Sequence, residues 1–178
     1  MPGKKTPFSV AIIGGGPAGL MAAEVVAAQG LNVELFDAMP SVGRKFLLAG
    51  VGGMNITHAE SADTFLTRYG AAQADLSPLI AQFDANALTA WVHGLGIDTF
   101  IGSSGRVFPT EMKAAPLLRA WLSRLKAAGV KFNVRHRWLG WNKKKELVFN
   151  TPDGEVTRSF DAVVLALGGA SWAKLGSD

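Results

Sequence analysis

Residues 8–37 spell out one structural unit: an apolar strand from Phe8 to Ile13, a turn Gly14-Gly15-Gly16-Pro17-Ala18-Gly19, a helix to Gln29, a second strand from Val33 to Phe36, and then Asp37. A G-x-G-x-x-G pattern alone is weak in a chain with 21 glycines. The strand before it and the helix after it give it a mechanical meaning. Gly14 lets the chain turn sharply out of the strand. Gly16 lets the backbone come against a pyrophosphate with no Cβ in the way, and Gly19 lets the helix lie close on the sheet. Pro17 suits the first helical turn, where its missing N–H would have had no intrahelical partner, so the free N–H groups and the positive end of the dipole face an anion. Asp37 follows Gly19 at close to the roughly 20 positions expected of a carboxylate that accepts hydrogen bonds from a ribose diol, and an acid there repels a 2′-phosphate. The plainer alternative is an ordinary βαβ turn with an exposed acid.

Composition narrows the class. At 178 residues and 48% hydrophobic, the chain can bury one good core. The low charged fraction of 18% and abundant glycine suit an α/β domain with buried strands and many tight turns. A net charge of +4 is mildly basic; Lys143, Lys144 and Lys145 read as the tip of a hairpin, and no nucleic-acid motif frames Lys131, Arg135 and Arg137. Small anionic molecules are therefore expected as partners, and nucleic acid is not. With no cysteine, the chain has no disulfide, thiolate nucleophile or cysteine-held metal, so redox chemistry would fall to a cofactor. His58 and His93 belong to no metal or triad pattern, so no metal is expected and no catalytic residue is assigned. The opening MPGKKTPFSV lacks a signal peptide's apolar stretch, and no run approaches the ~20 apolar residues of a membrane helix. A cytoplasmic protein with no membrane partner is the expectation.

Along the chain, the first helix is expected to bury a stripe of Ala18, Met21, Val25 and Ala28 and to stop at Gly30. From Ala38 to His58 the periodicity vanishes, which predicts a long, functional loop. Three short helical patterns follow, at 62–68, 77–83 and after the cap Asp84 to about His93, reading as a helical insertion over about 60–96. A short strand at about 98–101 leads through Gly102-Ser103-Ser104-Gly105 into Arg106-Val107-Phe108-Pro109, a second turn or hairpin. Pro116 then opens an amphipathic helix with Leu117, Leu118, Trp121, Leu125 and Ala128 on one side, closed by Gly129. After a strand at 130–134 come three more, at 138–142, 146–150 and 155–159, an antiparallel meander within about 138–160. Asp161 to Ala166 is a fully apolar strand of the kind buried in a parallel sheet, and it ends in Leu167-Gly168-Gly169. The fold expected is a Rossmann-like α/β domain: a parallel sheet with a three-stranded meander and a small helical insertion.

The glycine fingerprint accepts the ADP moiety of FAD or NAD alike. The meander favours FAD, because FAD-binding domains of the glutathione-reductase type carry one in place of a crossover helix, followed by a strand that ends in a small-residue turn. Three further passages carry a family resemblance: Gly43-Arg44-Lys45 running on through Leu48-Ala49-Gly50-Val51-Gly52-Gly53-Met54-Asn55-Ile56-Thr57-His58; Gly105-Arg106-Val107-Phe108-Pro109 with Lys113-Ala114; and Leu167-Gly168-Gly169-Ala170-Ser171-Trp172 to Gly176-Ser177-Asp178. With them the chain resembles the YhiN/BaiN-like, or aminoacetone-oxidase-like, FAD-dependent oxidoreductases.

The resemblance implies roles. Arg44 and Lys45 would supply donors to the cofactor's phosphates or ribose, against the alternative of a solvated basic pair. The loop of Gly50, Gly52 and Asn55 would pass close to the flavin, where glycine admits backbone N–H groups and Asn55 can hydrogen-bond the ring. Trp138 falls where such proteins touch the adenine, mostly through backbone, although a tryptophan there is also a core residue. Gly168 and Gly169 would form the turn near the cofactor or simply end a strand; Arg106 and Lys113 suit substrate or structure equally. Many relatives have Arg-Cys where this chain has Gly53-Met54, so chemistry that needs that guanidinium or thiol does not carry over. Relatives also continue beyond Gly-Ser-Asp into a second domain and a C-terminal segment that completes the flavin pocket, so the chain reads as the N-terminal portion of an FAD-binding domain. A small-molecule substrate, with a nicotinamide reductant or oxygen as oxidant, completes the expectation. An NAD-dependent dehydrogenase's nucleotide domain and a truncated, non-catalytic nucleotide-binding module are the alternatives.

Overall fold

Ser9–Ile13 is a strand because nearly every side chain in it is apolar, and four of its five positions are buried. The structure, a computed structural model, describes residues 8–49 and 52–169. In chain order its elements are β1 (Ser9–Ile13), α1 (Pro17–Ala27), β2 (Asn32–Asp37), α2 (Arg44–Ala49), β3 (Thr57–His58), α3 (Ala62–Thr67), α4 (Gln73–Ile80), α5 (Ala85–Gly94), β4 (Thr99–Ile101) and β5 (Arg106–Pro109). Then come α6 (Ala114–Ala127), β6 (Lys131–Val134), β7 (Arg137–Trp141), β8 (Leu147–Thr151), β9 (Gly154–Arg158) and β10 (Ala162–Leu165). They form two units, one of residues 1–46 and 122–178, the other of residues 47–121.

The first unit holds a parallel sheet in the order β10-β1-β2-β6 and the meander β7-β8-β9. Register runs from Val10 opposite Ala162 and Val33 to Ile13 opposite Leu165 and Phe36. Since β1 lies between β2, the next strand in the chain, and β10, the last described, the sheet order reverses at β1. One core gathers Ala11, Ile13, Phe36, Leu147 and Phe149, with Trp138, Val156, Phe160 and Val163 packed against it. Phe36 stacks on Phe149 with ring centroids 4.3 Å apart, so the meander is held to the sheet by aromatic burial. At the entrance to the strands, Asp161 accepts hydrogen bonds from the Ser9 amide and hydroxyl, each at 2.7 Å. Those bonds hold the Asp161 carboxyl below its ordinary pKa.

The second unit carries the antiparallel sheet β3-β5-β4. Asp84 caps α5 by accepting from the Ala87 amide at 2.7 Å, and Ser61 caps α3 through Thr64. Neither α3 nor α4 has a fully buried residue. Beside them Glu60 binds Arg68 through both carboxylate oxygens, which lowers the pKa of Glu60 and raises that of Arg68.

Three expectations change. The buried face of α1 is Gly19, Leu20 and Ala23, while Val25 is 57% exposed: Gly19 has to meet the sheet, and that fixes the rotation of the helix. The stretch 38–58 is not all loop, because Arg44 to Ala49 are good helix formers and build α2. Residues 99–101 and 106–109 do form the expected hairpin, as β4 and β5, with β5 the central strand of the second sheet. β10 is only half-buried, and Leu165 is exposed, because among the described residues it is an edge strand paired with β1 alone. Gly30 and Gly129 do take left-handed φ values of 73° and 85° after their helices.

Candidate functional site

A cleft of about 370 Å³ opens in the first unit at the carboxyl ends of β1, β2 and β10. Its geometry starts with the turn after β1. Gly14 has φ 109°, and a Cβ there would fall on the carbonyl oxygen of Ala166, so only glycine lets β1 and β10 close this tightly. Gly19 has the equivalent job between helix and turn, since its Cβ would strike the Gly14 carbonyl. Gly16 differs from both. Its φ and ψ of −79° and −179° suit any residue, and nothing lies within 4 Å of where its Cβ would be. It is the N-cap of α1 and has no side chain with which to cap, so the dipole end of the helix faces open space.

Asp37 ends β2 and ties two loops together. One carboxylate oxygen accepts from the Gly15 amide and the other from the Met39 amide, both at 2.7 Å. Each oxygen keeps a lone pair for another donor. Gly15 was given no role in the sequence, yet packing demands it: a Cβ there would press on Val42 and Asp37. The Gly43 amide donates to the Gly15 carbonyl at 2.8 Å, which brings α2 to the cleft.

Gly14, Gly16, Pro17, Ala18, Asp37, Arg44, Lys45, Trp138, Gly168 and Gly169 all line this one cleft, while Gly19 packs beneath it. Lys45 donates to the Gly169 carbonyl at 3.2 Å, linking α2 to the end of β10. Arg44 Nε and Trp138 Nε1 are buried donors with no hydrogen-bond partner among the described residues. Trp138 both lines the cleft and packs against the core. The other expected residues lie elsewhere. Gly50 and the stretch 170–178 fall outside the described residues. Gly52 and Asn55 belong to the second unit; the Asn55 amide, oriented to face two carbonyls, donates to Thr57 at 2.8 Å and Val107 at 3.3 Å. There the Met112 methyl occupies the space a Cβ on Gly53 would need. Met39, Ser41, His136 and Arg137 also line the cleft and had not been expected there. Position after β6 was the available signal, since the carboxyl end of a parallel strand is where such a sheet binds ligands.

The donor set fits the ADP part of a dinucleotide: an uncapped helix N-terminus for anionic oxygen, a glycine open to close approach, a buried guanidinium nitrogen without a partner, and a carboxylate with spare lone pairs. Among the described residues no cluster of potential metal ligands exists.

The fold and the crevice at its strand reversal define a Rossmann-type α/β domain. Residues 8–178 match the family described as HI0933-like protein Rossmann domain, and the chain belongs to that family, the group its sequence resembles. Similar solved structures include THI4 of Thermovibrio ammonificans, with 20% identity over 94% of this chain and 60% of that one, TM-score 0.60. A 3-ketosteroid-delta4-(5alpha)-dehydrogenase from Rhodococcus jostii is 15% identical over 95% of this chain and 48% of its own, TM-score 0.66. A flavocytochrome c3 fumarate reductase is 20% identical over 94% and 35%, TM-score 0.70. At these identities the likeness is one of fold, and the chain spans 35% to 60% of the length of those three proteins. No helix among the described residues is long and apolar enough to cross a membrane.

Proposed function

We propose that this chain is the FAD-binding part of a flavin-dependent oxidoreductase, with the ADP end of the cofactor held in the cleft of the first unit. The observation that carries the reading is the unpartnered, buried Arg44 Nε in a cleft where Gly16 leaves the N-terminus of α1 open. In this reading the Gly16 turn and the α1 N-terminus take the pyrophosphate with Arg44, Asp37 accepts the ribose hydroxyls, and Trp138 walls the base. Lys45 braces the turn at Gly168 and Gly169, with its charge close to the phosphates. Gly50, Gly52 and Asn55 are assigned to the flavin end. Bound flavin would supply hydride or electron transfer, and the protein's part is to fix its orientation and exclude competing reactions.

Family membership and the meander support FAD over NAD, because the meander stands where a crossover helix would otherwise lie. A cytoplasmic protein acting on a small molecule, with a nicotinamide cofactor or oxygen as its redox partner, completes the proposal. The test is to purify the protein as its native host makes it, denature it, and identify the released nucleotide by chromatography. A yellow protein that releases FAD is expected. A colourless protein that releases NAD would overturn the assignment in favour of a dehydrogenase's nucleotide domain.

A further inference from the structure

We propose that His136 selects the base of the bound nucleotide, accepting a hydrogen bond at Nε2 and so favouring adenine over guanine. The inference rests on the cleft being a nucleotide site. Three observations place His136 there. It lines the cleft; its amide donates to the Asp37 carbonyl at 2.9 Å; and its ring lies against Phe36 and Phe149, with centroids 5.8 and 6.1 Å away. The ring is thus anchored at the strand end that carries the ribose carboxylate, on the β6 side of Asp37 and away from the glycine turn. Beyond a ribose held by Asp37, the next group of a nucleotide is its base.

The protonation pattern follows from one contact. His136 Nδ1 lies 2.8 Å from the Val134 carbonyl, which can only accept, so Nδ1 carries the hydrogen. In the neutral ring Nε2 is then a bare acceptor, and no donor among the described residues engages it. Arg135 between them has φ 57°, and its amide donates to the Met39 carbonyl at 3.0 Å, so the backbone pins this tautomer in place. An acceptor at this point matches the 6-amino group of adenine, a donor, and opposes the 6-oxo group of guanine, an acceptor. Discrimination by a site that hydrogen-bonds its ligand is steep, because the wrong base leaves acceptor facing acceptor in a partly buried site.

Calorimetric titration of the 178-residue chain with ADP and with GDP at pH 7.5 tests this. Tenfold or stronger preference for ADP is expected, and His136→Phe, which keeps an aromatic ring against Phe36 and Phe149, should lose most of it. His136→Gln, whose amide can accept or donate, should retain ADP binding and gain GDP binding. It also stands in if the phenylalanine variant fails to fold. A wild-type chain that binds ADP and GDP equally would overturn the inference, as would His136 variants that keep the full preference. A chain that binds neither nucleotide would instead overturn the nucleotide reading of the cleft.

Discussion

Gly16→Ala separates what the fold needs from what the ligand needs. The backbone at Gly16, φ −79° and ψ −179°, is open to alanine, and the added methyl meets nothing within 4 Å. Alanine gains about 0.4–1 kcal/mol by restricting the unfolded chain. It loses a similar amount because alanine is a poor N-cap. The two effects nearly cancel, so apo stability should stay within about 1 kcal/mol of wild type. Binding should respond differently. If the pyrophosphate sits against Gly16 as proposed, a methyl there displaces hydrogen bonds to a charged group, each worth about 1.5–3 kcal/mol, so affinity for ADP or FAD should fall by roughly tenfold to more than a hundredfold. Urea unfolding of the ligand-free chain gives the first number and calorimetric titration the second. Gly14→Ala is the control, since its left-handed φ and the clash with Ala166 should cost at least about 2 kcal/mol of stability. If Gly16→Ala unfolds as readily as Gly14→Ala, or binds ADP as tightly as wild type, then Gly16 does not face a phosphate.

Arg44→Met should leave ligand-free stability unchanged or slightly raised, because it removes an unpaired buried donor; FAD affinity should drop by about tenfold or more, and unchanged affinity in a fluorescence-quenching titration would count against the phosphate role. Phe149→Ala removes a fully buried ring stacked on Phe36 and should cost about 3–5 kcal/mol in a denaturant titration. Asp161 has a depressed folded pKa, so its contribution is complete above the unfolded value of about 3.9 and is lost as pH falls through the folded one. Asp161→Asn should therefore be less stable than wild type at pH 7, with the gap between their urea midpoints closing as pH drops below about 4; a gap that is constant with pH would refute the linkage.

What could be read in the sequence was local. The β1-α1-β2 unit and the separate duties of Gly14 and Gly19 follow from backbone geometry over a few residues, and the structure repeats them. The rotation of α1 was misread because its apolar residues run all round the helix, and only contact with the sheet chooses Leu20 and Ala23 over Val25. The same limit applies at β10: an apolar run says that a strand can be buried, not how many neighbours it has. β3 has two residues, too few to show any alternation. His136 carries no motif. Its place in the cleft comes from a kink at Arg135 and from pairing with a strand about a hundred residues earlier, neither of which periodicity encodes.

The pairing of β1 with β10 sets a schedule for biosynthesis. Ser9 and Asp161, which lock the start of that pair, are 152 residues apart, so at roughly 5–20 residues per second a ribosome takes about 8–30 s to make the second after the first. Throughout that interval the nascent chain lacks the Ala166 carbonyl against which the glycine turn closes, and for most of it the Trp138 wall as well. Contacts this distant in sequence also form slowly once the chain is free. A nucleotide held as proposed would therefore meet this cleft only after β10 is docked, and its binding energy would then act on the folded cleft, drawing the equilibrium toward the native state by mass action without seeding it.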